Sequence, residues 1–242
     1  MTFELRRFGG PTLRFTLGGL AFLTDPTFDG PGDYDLGSRV LTKTAAATGS
    51  PADAAPVDVV LLSHDQHPDN LDTAGRAFSA TVPLVLSTPA AADRLGPPVR
   101  GLEPWTSVEL PGGDGGLRVT AVPAQHGPDG TEHLTGPVTG FVLAGAGLPT
   151  VYVSGDNASL DVVRQVAARF PAVDVAVLHG GRARTALLGD ANLTLDAAGL
   201  VEAAGLLGAT TVVPVHVEGW AHFTETPADV EAAFAGTSFE VR

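Results

Sequence analysis

Short apolar runs bounded by Gly, Pro, Asp or Asn recur along the chain, interleaved with stretches of helical period. Residues 3–24 alternate apolar and polar side chains around Gly9-Gly10 and Gly18-Gly19, the pattern of short antiparallel strands joined by tight turns. The run Val57-Asp58-Val59-Val60-Leu61-Leu62 is too short and too β-branched for a helix, and reads as a buried strand. Further strands are expected at residues 82–87, 117–123, 138–143, 150–154, 173–178 and 210–215. Helices are expected at 71–78, capped by Asp69 or Asn70, and at 89–95, opened by Pro89. A third covers 160–170, where Leu160, Val163, Val166 and Ala167 share a face. A fourth runs from the segment 193–196 to Leu207, with Thr194 as its cap and Gly208 as its stop, and a last one starts near Pro227. Residues 27–56 are rich in Gly, Pro, Ala and Ser without a period, which predicts a long loop, long enough to cover a neighbouring site. Hairpins followed by strands alternating with helices, twice over, predict an α/β layered fold with mixed sheets. No internal period divides the chain, and its length fits one large domain over 1–242 or two small ones.

The polar residues that follow these strands carry the chemistry. After residues 57–62 comes Ser63-His64-Asp65-Gln66-His67-Pro68-Asp69-Asn70-Leu71-Asp72, in which two imidazoles and an Asp two residues further on can converge on one cation. His126 follows the strand at 117–123, Asp156 the strand at 150–154, and His216 the strand at 210–215. Each has a plain alternative: His126 could only bond a loop carbonyl, Asp156 could cap a helix, and His216 could be a satisfied buried histidine. Together, at successive strand ends where open α/β sheets place their sites, they form one array of ligands. Asp25, before Pro26, reads as a turn former.

Composition narrows the ions and partners. The chain has no cysteine, so thiolate ligands and disulfides are excluded and any metal must use His, Asp, Glu or solvent. Such a donor set suits zinc, manganese or iron. With 27 acidic against 14 basic residues and a formal charge of −13, the long-range field repels polyanions, which argues against nucleic acid as partner. No stretch approaches a membrane span, and the first residues lack the layout of a signal peptide, so a soluble cytoplasmic protein is expected; a homo-oligomer is compatible with the apolar composition.

The loop at 63–72 resembles the H-x-H-x-D-H signature of the metallo-β-lactamase superfamily, written here as H-x-x-H-x-D with one residue inserted and Asn70 in place of the final His. The order of that loop, then His126, then Gly155-Asp156, then His216 extends the resemblance over nearly the whole chain. The segments 174–181 and 213–223 resemble most the branch containing the ascorbate-6-phosphate lactonase. The resemblance implies a four-layer αββα sandwich with the site at one edge between two mixed β-sheets. It implies that His64, His67 and His126 hold a first metal, that Asp69 and His216 belong to a second, and that Asp156 bridges them. Asn70 removes one ligand of the second site, so one zinc is expected to be held tightly and a second more weakly, with manganese or iron also compatible. A cation so held makes hydroxide available near neutral pH and polarises a carbonyl or phosphoryl oxygen, with Asp69 orienting the water and relaying its proton.

The expected activity is metal-dependent hydrolysis of a small molecule, a lactone or a phosphorylated ester; a small-phosphodiester phosphodiesterase and a catalytically degenerate binding or scaffold module are the alternatives. His179 and His222 are candidate substrate-pocket residues. His133 reads as a surface residue, and Arg182 and Arg184 as part of a solvated loop.

Overall fold

The computed structural model describes residues 3–37, 39–113 and 115–242. The amino-terminal alternation forms β1 (Leu5–Gly9), β2 (Thr12–Leu17) and β3 (Leu20–Thr24), paired antiparallel. Then follow β4 (Gly32–Asp35), β5 (Val40–Lys43), α1 (Pro51–Ala54), β6 (Val59–Leu61), α2 (Thr73–Ser79), β7 (Leu84–Ser87), α3 (Pro89–Leu95) and β8 (Val99–Gly101). Parallel pairing of β6, β7 and β8 onto β3 gives a six-stranded sheet in the order β1-β2-β3-β6-β7-β8. The remaining elements are β9 (Ser107–Leu110), β10 (Leu117–Pro123), α4 (Glu132–Thr135), β11 (Thr139–Gly145), β12 (Val151–Val153), α5 (Leu160–Arg169), β13 (Val175–His179), α6 (Ala197–Leu207), β14 (Thr211–Val215), α7 (Pro227–Phe234) and β15 (Glu240–Val241). They supply a seven-stranded sheet in the order β15-β14-β13-β12-β11-β10-β9.

Three apolar clusters stack these elements into helix, sheet, sheet and helix. Phe15, Phe22, Leu61 and Leu86 of the first sheet meet Leu117, Val119, Phe141 and Val177 of the second. On its outer face the second sheet buries Tyr152, Ala176 and Leu178 against Val163, Leu200, Ala203 and Phe234 of α5, α6 and α7. The first sheet buries Val60 and Val85 in a cluster that Phe78 of α2 and Leu95 of α3 pack against. This is the αββα sandwich with two mixed sheets that the pattern and the resemblance led us to expect. Each sheet is buried on both faces, which is why runs such as Val59-Val60-Leu61 are continuously apolar rather than alternating.

Strand direction places the site. β12, β13 and β14 run parallel. β10 is antiparallel to β11 and β11 to β12, so β10 points the same way as those three. The residues that follow β10, β12 and β14 therefore emerge at one edge of the sheet.

The segment 27–56, read from sequence as a long loop, instead contains the antiparallel ribbon β4-β5 and α1. The inward-facing positions of β5 are Leu41 and Lys43, the latter 4% exposed, and a lysine there breaks the apolar alternation that marks a strand. Lys43 Nζ lies 2.9 Å from Asp72 Oδ2, which also accepts from the Asp29 amide, while Asp72 Oδ1 accepts from Gly75 N at 2.8 Å and caps α2. Asp29 in turn accepts from the Thr73 and Ala74 amides and from the Tyr34 hydroxyl. Two carboxylates thus serve the amino terminus of α2, and one buried ammonium neutralises them and ties the ribbon down. Gly75 is required there, because a Cβ at that position would sit 1.7 Å from the Pro26 carbonyl oxygen.

The caps of two helices differ from expectation. α2 is capped by Asp72 rather than Asp69 or Asn70, and α6 by Asp196, which accepts from Gly199 N at 2.8 Å, rather than Thr194. The Thr194 hydroxyl donates instead to the Gly180 carbonyl at 2.7 Å. The short edge strands β8 and β15, together with β9 and α4, lacked a pattern long enough to predict. Among the described residues no helix is long and apolar enough to cross a membrane.

Lys43→Met is expected to leave the Asp72 carboxylate buried without its counter-charge and to lower folding stability by about 3 kcal/mol, measured by urea denaturation.

Candidate metal centre

At the end of β6 the backbone leaves the sheet, and its first turn is pinned from beneath: Ser63 N donates to Asp25 Oδ1 at 2.7 Å. Arg94 donates to both oxygens of Asp65, at 2.9 and 2.5 Å, and the His67 carbonyl accepts from the amides of Asn70 and Leu71. These ties turn His64, His67 and Asp69 to the same side. Gly155, with φ of +57°, makes the corresponding turn after β12; a Cβ there would lie 2.5 Å from the Thr139 carbonyl oxygen. His216 follows β14 with φ of +61°, a left-handed conformation uncommon outside glycine and one that marks functional positions.

Two sets of buried donors result: His64, His67 and His126, and beside them Asp69, Asp156 and His216. In the first, His67 Nδ1 lies 2.9 Å from His64 Nε2 and 3.3 Å from His126 Nε2. In the second, His216 Nε2 lies 3.2 Å from Asp69 Oδ2 and 3.5 Å from Asp156 Oδ2. Asp156 Oδ2 is also 3.8 Å from His126 Nε2, which puts it between the sets.

These residues fit a divalent cation. Donors held about 2.0–2.2 Å from one ion at angles between octahedral and tetrahedral stand about 2.9–3.6 Å apart, and the separations of 2.9, 3.3, 3.2 and 3.5 Å just given fall in that range. The His126 Nδ1–H donates to the Leu193 carbonyl at 2.8 Å and the His216 Nδ1–H to the Gly180 carbonyl at 3.2 Å. A carbonyl only accepts, so in the neutral ring each Nε2 keeps its lone pair for the cluster. In His126 one ring nitrogen bonds a loop carbonyl and the other faces the donor cluster, so the two alternatives read from the sequence are not exclusive. Asp156 Oδ2 and Asp69 Oδ1 are buried with no hydrogen-bond partner among the described residues, a costly arrangement for carboxylates that a cation relieves.

Electrostatics follow the same division. Burial, then the neighbouring His64 and His126, hold His67 well below the ordinary imidazole range; burial likewise lowers His126 to about 4, with Asp156 opposing it. Burial alone would also lower His216, but Asp156 and Asp69 outweigh it and raise it to about 9. Burial would raise both carboxyls, yet His222 and His216 keep Asp69, and His216 and His126 keep Asp156, below the usual carboxylate range.

The other candidates take different places. His179 is fully buried, with Nε2 2.9 Å from Asp25 Oδ2 and Nδ1 3.3 Å from the Ser154 hydroxyl, so it lies beneath the cluster rather than in a substrate pocket. Asp25, read as a turn former, holds both Ser63 and His179 with φ of +32°, and its one sequence signal was the Asp-Pro pair at a strand end. Asn70 donates to Asp156 Oδ1 at 3.0 Å and to Ser63 Oγ at 3.3 Å, standing behind the carboxylate. His222 Nε2 is 3.0 Å from Asp69 Oδ2. Arg182 and Arg184, expected in a solvated loop, both donate to Asn192 Oδ1 and are partly buried. His133 is exposed, as expected, but lines an open cavity of about 400 Å³ with Arg39, Gln66 and His67. Arg39, whose Nη2 lies 2.9 Å from His67 Nε2, went unnoticed because it lies between the two strands of a weakly patterned ribbon.

The pattern of the beta-lactamase superfamily domain matches residues 21–217. A UPF0173 metal-dependent hydrolase of Pelotomaculum thermopropionicum is 30% identical over 220 residues, covering 85% of this chain and 90% of the relative. The crystal structure of an isothiocyanate hydrolase from Delia radicum gut bacteria superposes with a TM-score of 0.80 at 23% identity, covering 98% of this chain and 94% of that one. A structure described as a possible metal-dependent hydrolase from Veillonella parvula gives 0.81 at 19% identity, covering 100% and 96%. At these identities the structures share the fold.

His126→Ala and His216→Ala are each expected to lower the content of bound divalent metal, read by elemental analysis, while circular dichroism stays that of the folded chain. A proton must leave His216 before it can ligate. Apparent zinc affinity at the set containing His216 is therefore expected to rise about tenfold per pH unit from pH 6 to 8, levelling as pH passes about 9, in titrations against a chromophoric chelator.

Proposed function

Because the chain belongs to the beta-lactamase superfamily and is a metal-dependent hydrolase, we propose that His64, His67, His126, Asp69, Asp156 and His216 form its metal centre and that it opens a small lactone or phosphorylated ester. The observation that carries this is the convergence of six buried donors, two of their carboxylate oxygens without partners, beside the open cavity that His67 lines. Zinc suits the nitrogen and oxygen donors, and manganese or iron suit them too. A divalent cation there supplies Lewis acidity, which yields hydroxide from water near neutral pH and polarises the oxygen of the bond under attack.

Asp69 stays ionised and its buried Oδ1 is free to accept a proton from water, while Oδ2 is engaged by His216 and His222. Asn70 and Ser63 keep their bonds behind Asp156 and His64 and hold those side chains in place. At the cavity, Arg39 supplies a fork of donors suited to a phosphoryl or carboxylate oxygen. Were His67 to hold a metal through Nδ1, its ring proton would sit on Nε2, which could then no longer accept from Arg39 Nη2, and the guanidinium would be free for a substrate oxygen. Leu36 and Leu134, both exposed beside it, offer an apolar wall. This mouth suits a small anionic substrate with an apolar part.

Chelator-treated protein, reloaded with zinc, manganese or iron, is to be assayed on lactones, nitrophenyl phosphate and phosphodiester, and an isothiocyanate, the last because of the fold shared with the isothiocyanate hydrolase. Metal-dependent turnover of a lactone or phosphorylated ester, lowered about 100-fold or more in Asp69→Asn, is expected. Equal turnover with and without metal, or turnover of the isothiocyanate alone, overturns the proposal.

A further inference from the structure

Between β1, β5 and the loop after β14 lies a second cavity, of about 130 Å³, which shares no wall residue with the open one beside His67. Phe8 and the three alanines at 45–47 give it apolar walls. Two buried donors line it as well. Trp220 is 3% exposed, and its Nε1–H has no acceptor among the described residues. Lys43 is 4% exposed, and of the three N–H bonds of its ammonium group the described residues use one, on Asp72 Oδ2. A buried N–H left without an acceptor is costly, and the cost is relieved when a bound molecule supplies one. We infer that this cavity is a binding site for a small uncharged carbonyl compound, an aliphatic amide or ester, whose oxygen accepts from Trp220 and Lys43 while its apolar body lies against Phe8 and the alanines.

The donors are held in place. The indole ring lies 5.4 Å from that of Tyr34, and Lys43 Nζ is 5.6 Å from its centre. The backbone on either side of Trp220 is tied to the β4-β5 ribbon, since Thr44 N donates to the Gly219 carbonyl at 2.8 Å and Ala221 N to the Thr42 carbonyl at 3.0 Å. There is also room beside the N–H. Gly10, with φ of +54°, lacks the Cβ that would otherwise come 3.5 Å from Trp220 Nε1 and 3.6 Å from Thr27 Oγ1. A single water needs about 10–15 Å³ of such volume, so the cavity admits a molecule of several heavy atoms.

Charge decides among the molecules that fit. Asp72 already matches the Lys43 ammonium, and Glu218 adds a carboxylate to the wall, so no positive charge is left over for an anion. A cationic amine brings no lone pair to the two donors. An uncharged carbonyl accepts from both without adding a charge to a buried place. The site needs no metal, and its ligand is recognised apart from the chemistry beside His67.

The chain has two tryptophans, so its proton–nitrogen correlation spectrum carries two indole signals, and Trp105→Phe identifies that of Trp220 by removing the other. Titration of the isotope-labelled full chain with isobutyramide is expected to shift the Trp220 signal to saturation and to leave that of Trp105 in place. Isobutyrate and isobutylamine, of nearly the same shape but charged, bind at least about tenfold more weakly. Trp220→Phe keeps an aromatic ring and removes the donor. Its binding of isobutyramide, read by saturation transfer to the ligand methyl groups, falls at least about tenfold. A Trp220 signal that stays in place or shifts without saturating, isobutyrate bound as tightly as the amide, or unchanged binding in folded Trp220→Phe overturns the site. The wild-type titration tests it even where Trp220→Phe fails to fold.

Discussion

Six buried nitrogen and oxygen donors at one sheet edge impose the constraint that shapes the rest of the molecule. Carboxylates taken out of water without full pairing cost several kcal/mol each, and imidazoles crowded at 2.9 and 3.3 Å add to that cost. Such a cluster persists only where surrounding structure over-determines it. Here that structure is three apolar clusters, two of them on either side of the seven-stranded sheet, which make the strands behind the site rigid. The polar cost at the edge is offset by apolar burial behind it, and the cation-binding chemistry comes from what hydrogen bonds leave unsatisfied.

The outer partners explain why this arrangement is specific. Backbone carbonyls of Leu193 and Gly180 select the tautomers of His126 and His216, Ser63 contacts His64, and Asp25 holds both the Ser63 amide and the His179 ring. Carbonyls delivered by the chain just after Ala191 and just after His179 cannot drift independently of the sheet. His67 differs, because its Nε2 accepts from the Arg39 side chain of the β4-β5 ribbon, which leaves the ring proton on Nδ1, rather than donating to a backbone carbonyl. The ribbon is held in turn by Lys43 on Asp72, the same residue that caps α2 immediately after the ligand loop. Ligand loop, helix cap and ribbon therefore form one electrostatic unit, and the open cavity lies on its His67 side.

How much of this was legible depended on whether the signal was local. Val57 to Leu62 announced a strand through composition, and Asp156 and His216 followed apolar runs that can only be buried, so the array at strand ends could be read directly. The caps were misread where several competent side chains stood close together: Asp69, Asn70 and Asp72 can all cap a helix, and only the three-dimensional demand for Asp69 at the cluster leaves Asp72 to do so. Asp25 looked like an ordinary turn residue because its partners, Ser63 and His179, are 38 and 154 positions away. The ribbon was hidden by Lys43, whose burial makes sense only with Asp72 opposite.

The two halves of the cluster are anchored unequally, and this bears on how a substrate reaches it. The first set takes two ligands from a single loop and the third from the end of β10, and one of its rings, His67, faces an open cavity bearing a cationic and an apolar group. The second set draws on three separated segments, and its carboxylates are almost wholly buried. An ion held by the first set would lie on the side of the cavity, and one held by the second among the more fully buried side chains. Asp156 Oδ2, 3.8 Å from His126 Nε2 and 3.5 Å from His216 Nε2, lies between them. A substrate entering through that cavity would meet the His67 side of the cluster first, with Asp156 and His216 behind it.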